Sequence, residues 1–284
     1  MCEGIRMPTS HSLIKSPWKD RLLNLASLAR RRVVAAAPFI TSEALAEFIG
    51  AIRHPGEIQV VIGTTLSSSS VVHGSLDLDA LRWACSELPR LQLKHIPRLH
   101  AKIYIADDAA AIITSGNLTM ASLVHNNEYG VGIFDQETVV AVKRDLDSYI
   151  SLGSEVSCDS VTILANLAKR LAIGEAYDRD ESIKPAMDEF DDLVRGLRGN
   201  ASESRTTIFA RTVQYALLHG PMKTSDIHEM VKDIQPDLCD DNIERVINGV
   251  RFGKRWKHDV RNAQQTLRKR GQITLEADGT WRLI

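Results

Sequence analysis

Between Arg98 and Ile133 the chain reads "RLHAKIYIADDAAAIITSGNLTMASLVHNNEYGVGI", and six of its side chains have types suited to chemistry: His100, Lys102, Asp107, Ser115, Asn117 and Glu128. In an extended chain, residues i and i+2 point to the same side. An imidazole and an ammonium at 100 and 102 therefore project together from one surface. Neither belongs in a sheet core unless something anionic lies in front of it. A lone histidine in a strand is most often a hydrogen-bonded structural residue. Here Lys102 cannot be buried unpaired, and "TSGN" sets small hydrogen-bonding groups at the end of the following strand. Convergence of polar groups at strand ends is where α/β sheets bind ligands.

The elements that must position these groups alternate between strand and helix, the pattern of an α/β domain. "PWKDRLLNLASLAR", "SEALAEFIGAI", "DLDALRWACSEL" and "QETVVAVKRDLDSYI" carry helical spacing. "RVVAAAPFI", "EIQVVIGT", "LQLKHIP", "AKIYIAD", "AAIITS" and "EYGVGIFD" read as strands, with a short helix from about Leu118. From about 155 to 198 the pattern is helical, in "SVTILANLAKRLAIG" and "IKPAMDEFDDLVRGL", and "RGNASESR" (198–205) has a linker's composition. The last segment changes rhythm. Helices "TTIFARTVQYALLH" and "TSDIHEMVKDIQ" precede "CDDNIERVINGVRFG", a basic helix "WKHDVRNAQQTLRKR", and two short strands around an Asp278-Gly279 turn, a hairpin signal. Three or four helices closed by a hairpin describe a winged helix-turn-helix. The domains expected are thus 1–154, α/β and catalytic; 155–205, a helical connector and linker; and 206–284, a winged helix that binds DNA.

The formal net charge of -1 conceals a segregation along the chain. Residues 1–150 hold 15 basic and 15 acidic side chains, 151–205 hold 7 and 11, and 245–284 hold 10 and 3. Attraction to phosphate depends on such a local field rather than on the sum. Arg251, Lys254, Arg255, Lys257, Arg261, Arg268, Lys269 and Arg270 face a single acid, Asp259. Trp256, Val260, Ala263 and Leu267 form an apolar stripe at helical spacing. The opposite face, with Lys257, Arg261, Asn262 and Gln265, suits a major groove, where Arg, Asn and Gln read base edges. Arg251, Lys254, Arg255, Lys257, Arg261, Asn262 and Gln265 are the expected DNA contacts.

Cys2, Cys85, Cys158 and Cys239 are far apart with no CxxC pair, so reduced cytoplasmic thiols are expected rather than a disulfide framework or zinc knuckle. No apolar run reaches the ~20 residues that span a bilayer, and "MCEGIRMPTS" lacks the apolar stretch of a secretion signal, which points to a cytoplasmic protein that does not engage membranes.

The spacing His100-x-Lys102, four residues, Asp107, six residues, Thr114-Ser115-x-Asn117, with "NNE" ending in Glu128, resembles the catalytic motif of the phospholipase D superfamily over roughly residues 15–150. Thr114 stands where that family usually has Gly. The resemblance implies a mixed sheet flanked by helices and phosphodiester cleavage needing no metal and no cofactor. A neutral imidazole attacks phosphorus to give a phosphohistidine, and a second, protonated imidazole supplies the leaving oxygen's proton. Lys102, Ser115 and Asn117 would meet the non-bridging oxygens. Glu128 would orient an imidazole, and Asp107 would support the site rather than touch substrate. His73, His95 and His125 lack a Lys two residues on, so the chain has one His-x-Lys where the chemistry uses two histidines. Single-motif members of the family join two protomers across a twofold axis, and a homodimer is expected. "WKHDVRNAQQTLRKRGQITLEADGTWRLI" also resembles the winged helix at the amino terminus of Mrr-type restriction enzymes. Together these imply a dimeric nuclease acting in restriction or phage defence, with a helicase or other defence-system subunit as a further partner. A phospholipase or other phosphodiesterase, and a DNA-binding regulator that keeps the domain only as a dimer scaffold, are the alternatives. "SSSS" at 67–70 reads either as a phosphate-contacting loop or as a flexible one.

Overall fold

A computed structural model describes residues 10–174, 183–200, 204–247 and 249–284, and the chain divides into two compact units, Met1–Val194 and Arg195–Ile284. The first is built on an eight-stranded mixed sheet. Its strands are β1 (His11–Lys15), β2 (Arg32–Ala36), β3 (Gln59–Thr64), β4 (Leu91–His95), β5 (Lys102–Ala106), β6 (Ala110–Thr114), β7 (Tyr129–Ile133) and β8 (Ser154–Glu155), in spatial order β1-β7-β6-β5-β2-β3-β4-β8. Only β2-β3 and β3-β4 pair in parallel. β2 and β3 are apolar on both faces because both faces are covered, so alternation is lost there.

The helices of this unit are α1 (Lys19–Leu28), α2 (Ser42–Gly50), α3 (Ser68–Val72), α4 (Leu78–Glu87), α5 (Gln136–Leu152), α6 (Cys158–Gly174) and α7 (Lys184–Asn200), the last crossing into the second unit. Asp77 caps α4 by accepting from Ala80 N–H at 3.0 Å, and Asp135 caps α5 by accepting from Thr138 N–H at 2.9 Å. Each is an N-terminal aspartate satisfying one orphan donor. Leu22, Leu25 and Ala26 turn one face of α1 inward, and Trp18 just before it is 0% exposed. Fully burying a side chain of that kind contributes about 1.5–3 kcal/mol. Across the sheet, α5 buries Val139, Leu146 and Ile150 with Ile105, Ala111 and Ile133.

Several expectations are corrected. His11–Lys15 is an edge strand that the periodicity did not signal, paired antiparallel with β7. The helix expected from Leu118 is a single π-turn, Ala121–His125, while Leu118 itself bridges to Ile40. Cys85 and Cys158 are joined in a disulfide with Cα atoms 5.8 Å apart, against the expectation of reduced thiols. They are 73 residues apart, and only the packing of α4 on α6 brings them together. Cys239 is buried outside that disulfide, its thiol directed to Val231 C=O at 4.0 Å. α7 continues through positions 198–200, where a linker was expected, and 201–203 of that linker lie outside the described residues. The serines at 67–70 are used structurally: Ser67 caps α3, and Ser68 donates through N–H and hydroxyl to the Asp191 carboxylate at 3.0 and 2.8 Å. Among the described residues no helix is long and apolar enough to cross a membrane.

The second unit contains α8 (Arg205–Leu217), β9 (Met222–Lys223), α9 (Thr224–Ile234), β10 (Glu244–Ile247), β11 (Val250–Lys254), α10 (Arg255–Lys269), β12 (Ile273–Leu275) and β13 (Thr280–Leu283). The three helices pack around Phe209, Val213, Ile227, Val231, Trp256, Val260, Ala263 and Leu267. The terminal hairpin forms as expected, with Gly279 at φ 82, where a glycine carries no Cβ penalty, and β13 pairs on its other side with β9. "CDDNIERVINGVRFG" is not helical. It forms the hairpin β10-β11, with Gly249 and Gly253 at positive φ.

Candidate functional site

Lys102 opens β5, and His100 lies two residues before the strand rather than on it. The two still meet: Lys102 Nζ is 3.4 Å from each ring nitrogen of the exposed His100. Arg98, two residues upstream, adopts φ 58, a left-handed conformation that costs a non-glycine residue energy and that sets the direction of this approach. Lys102 is only 9% exposed. Burial holds its pKa below the ordinary lysine value, and the Glu128 carboxylate partly opposes this.

The neighbouring strands bring the other groups to the same end of the sheet. Lys102 pairs with Thr114, which pairs with Gly130, so these residues share one face. A Cβ on Gly130 would sit 2.7 Å from Thr114 Cβ, so a glycine across the ladder makes room for the threonine that replaces the resembled family's usual glycine. The Thr114 hydroxyl donates to Tyr129 C=O at 3.3 Å and accepts from Gly116 N–H at 3.2 Å. Next along, the Ser115 hydroxyl donates to Glu128 Oε2 at 2.5 Å and accepts from Tyr129 N–H at 3.0 Å. The Asn126 amide donates to the other Glu128 oxygen at 3.4 Å. Asn117 Oδ1 is buried with no hydrogen-bond partner among the described residues.

Two residues that the sequence did not single out hold this end in place. Ser16 accepts Glu128 N–H on its hydroxyl at 2.7 Å. Trp18 donates from Nε1 to Ser122 C=O at 2.8 Å and from its backbone to Leu123 C=O at 3.0 Å. Its ring lies against Gly116, where a Cβ would fall 2.6 Å from the indole. Tyr104 completes the clamp by donating to Gly116 C=O at 3.1 Å, and burial, then the Glu128 charge, push its phenol pKa up.

Asp107 is not brought to this cluster. It follows the far end of β5, about 17 Å along the strand from Lys102 at about 3.3 Å per residue. There, at φ 51, it accepts the backbone N–H groups of Arg30, Arg31 and Arg32 at 2.7, 3.1 and 2.8 Å and ties down the start of β2. His95 is buried and accepts Leu66 N–H at 3.0 Å, a structural role. Among the described residues no group of three or more His, Cys, Asp or Glu is arranged to hold a metal ion.

In the second unit α10 buries the stripe read from the sequence and exposes Arg255, Arg261, Asn262 and Gln265, with Lys257 half-buried. Arg251 pairs with Glu244 at 3.2 Å and Lys254 with Asp241 at 2.9 Å, so part of the cationic run is internally compensated.

The family model described as "Cardiolipin synthase, PLD-like domain" matches residues 22–150. No curated protein matches the chain. Solved structures similar to it include the phospholipase D family member Nuc from Salmonella typhimurium (17% identity, 51% of this chain and 97% of that one, TM-score 0.44). NucT from Helicobacter pylori is similar at 19% identity over 50% of this chain and 96% of that one, TM-score 0.40. Phosphatidylserine synthase from Haemophilus influenzae Rd KW20 is similar at 14% identity over 67% and 49%, TM-score 0.45. The matched residues hold six of the eight strands, β2 to β7, with His100, Lys102, Ser115, Asn117 and Glu128 among them. Over residues 22–150 the chain is thus similar to a phospholipase D-like domain.

Proposed function

We propose that the chain is a homodimeric phosphodiesterase that cleaves DNA without a metal, through a phosphohistidine on His100. The observation that carries this reading is the contact of the buried Lys102 ammonium with the exposed His100 imidazole, at a sheet end that also bears Ser115, Asn117 and Glu128. A nitrogen of His100 attacks phosphorus, the P–O bond to the leaving group breaks, and the departing oxygen takes a proton from the partner subunit's His100. Water then attacks the P–N bond while the second imidazole accepts its proton, and the free enzyme returns. Lys102 stabilises charge on the non-bridging oxygens, and Glu128 orients the imidazole.

Support for a twofold pairing lies on the sheet face opposite Lys102 and Thr114 and reaches the site's end of the sheet at Tyr129, next to Glu128. Leu13 and Tyr129 are 60% and 54% exposed on the same face as the half-buried Val131 and the exposed Ile113, an apolar strip running across β1, β7 and β6. Contiguous exposed apolar surface marks an interaction face. The second unit, with its three helices and terminal hairpin, is read as a winged helix whose α10 enters a major groove. Restriction of foreign DNA, with a helicase or other defence subunit as partner, is the setting this activity suits.

Because the matched family description names cardiolipin synthase, a lipid phosphodiester is the second substrate class. Purified protein incubated in EDTA with labelled duplex DNA, single-stranded DNA and RNA, beside phosphatidylcholine vesicles, decides between them. Cleavage of DNA in chelator is expected. Lipid hydrolysis alone would transfer the assignment to lipid, and no cleavage in chelator with activity restored by divalent metal would overturn the histidine mechanism.

A further inference from the structure

A hollow of about 450 Å³ opens in the C-terminal unit at the start of α9. One wall is the first turn of that 11-residue helix, with Thr224 and Ser225, and its N-cap residue Lys223 makes no side-chain capping bond. First-turn N–H groups have no partner within their own helix and favour anions. The opposite wall carries Lys257 and Arg261 of α10. Between them His228 lines the hollow, only 6% exposed, and its Nε2 has no hydrogen-bond partner among the described residues. A buried polar atom of this kind destabilises the fold unless something satisfies it. Of the carboxylates on the rim, Asp241 is already engaged by Lys232, Lys254 and the Trp256 indole at 2.5, 2.9 and 2.9 Å, and Glu229 is exposed. Asp226, in the same first turn, takes the Ser225 hydroxyl at 2.9 Å, and the cations Lys232, Lys254, Lys257 and Arg261 around the hollow outnumber the carboxylates Glu229 and Asp241 that line it.

We propose that this hollow binds a phosphate group, held by the first-turn amides of α9, by Lys257 and Arg261, and by Nε2 of His228. Its volume takes the phosphate together with the sugar that bears it. The phosphate can come from a nucleic-acid backbone or from a free nucleotide, and the chemistry of recognition is the same. The backbone source rests on the DNA-binding reading above, whereas the phosphate site does not. Supporting it, burial and then the charges of Arg261 and Lys257, with a smaller contribution from His258, push the His228 pKa down to about 4, so an anion set among those cations would remove their effect and raise it.

The test follows the His228 ring by NMR in the full-length chain while inorganic phosphate, AMP or a short DNA duplex is added, in wild-type protein, Ser225→Glu and Ser225→Gln. Ser225 is exposed, and an acid in the first turn of a helix favours folding, so the Glu variant alters the hollow and leaves the core intact. Phosphate is expected to move the His228 signals and raise the ring's titration midpoint. Ser225→Glu should weaken binding at least tenfold and Ser225→Gln less than twofold. Competition between duplex and phosphate would assign the site to nucleic acid, whereas AMP binding without such competition would assign it to a free nucleotide. If His228 stays unmoved by all three ligands, or if Glu and Gln variants bind alike, the proposal is overturned. Duplex binding that leaves His228 untouched removes the hollow and preserves the DNA reading. Phosphate binding with no duplex binding does the reverse.

Discussion

At the scale of single residues, the motif spacing joins groups with two different jobs. His100 and Lys102 stand at one end of β5 and Asp107 at the other, because four strand residues separate Lys102 from Asp107. Sequence spacing gave the residue types and the distance along the strand, but the three backbone donors that Asp107 serves come from residues 30–32, more than 70 positions away. Ser16 and Trp18 were invisible for a similar reason, since their partners at 122–128 are remote. Asp107→Ala is therefore expected to cost about 1–3 kcal/mol, through unpaired amides and a non-glycine φ > 0, while folded protein keeps its cleavage rate. His100→Ala should do the opposite, abolishing cleavage with the melting temperature unchanged. Thermal melts and rates on the same preparations check both. Lys102 gives a pH expectation. Burial disfavours its charged form, so it loses its proton below the ordinary lysine value of 10.5, and removing the opposing charge in Glu128→Gln should lower that midpoint further. An NMR titration of the lysine side chain that moved upward in Glu128→Gln would contradict this electrostatic account.

At the scale of elements, long periodic segments were legible and short or conditional ones were not. The helices capped by Asp77 and Asp135 and the apolar strands β2 and β3 announce themselves by period and cap. β1 is five residues on an edge and had no strong local signal, whereas β10-β11 had one that went unread, the Asn248-Gly249 pair that signals a tight two-residue turn. The α10 stripe was readable because its four buried apolar residues repeat at helical spacing. Two exposed cations there give a measurable consequence. Replacing Arg255 and Arg261 by Ala should lower the slope of log affinity for DNA against log salt by about 0.9 for each lost phosphate contact. An unchanged slope would remove α10 from the interface. The Cys85–Cys158 link closes a 73-residue loop from α4 to α6. Its removal in a Cys85→Ser, Cys158→Ser protein is expected to destabilise the first unit by about 2–4 kcal/mol. Denaturant midpoints matching those of the unsubstituted, non-reduced protein would show that the link does not constrain the unfolded chain.

At the scale of the whole molecule, the chain supplies one His-x-Lys for a chemistry that uses two imidazoles, and the apolar strip of Leu13, Ile113 and Tyr129 lies on the sheet face opposite Lys102, reaching that half-site at Tyr129. The number of histidines was legible in the sequence. The strip was not, because it joins residues from three strands that are distant along the chain. A shared active site is the central claim, and mixing protomers tests it most directly. Wild-type and His100→Ala proteins are combined in equal amounts, exchanged fully with the exchange verified by a mass tag, and assayed for DNA cleavage at fixed total concentration. Random pairing gives about one quarter wild-type, one half mixed and one quarter mutant dimers. If each site needs both histidines, activity falls to about one quarter of the all-wild-type value. A value near one half would mean that each protomer acts alone, and it would contradict the shared site.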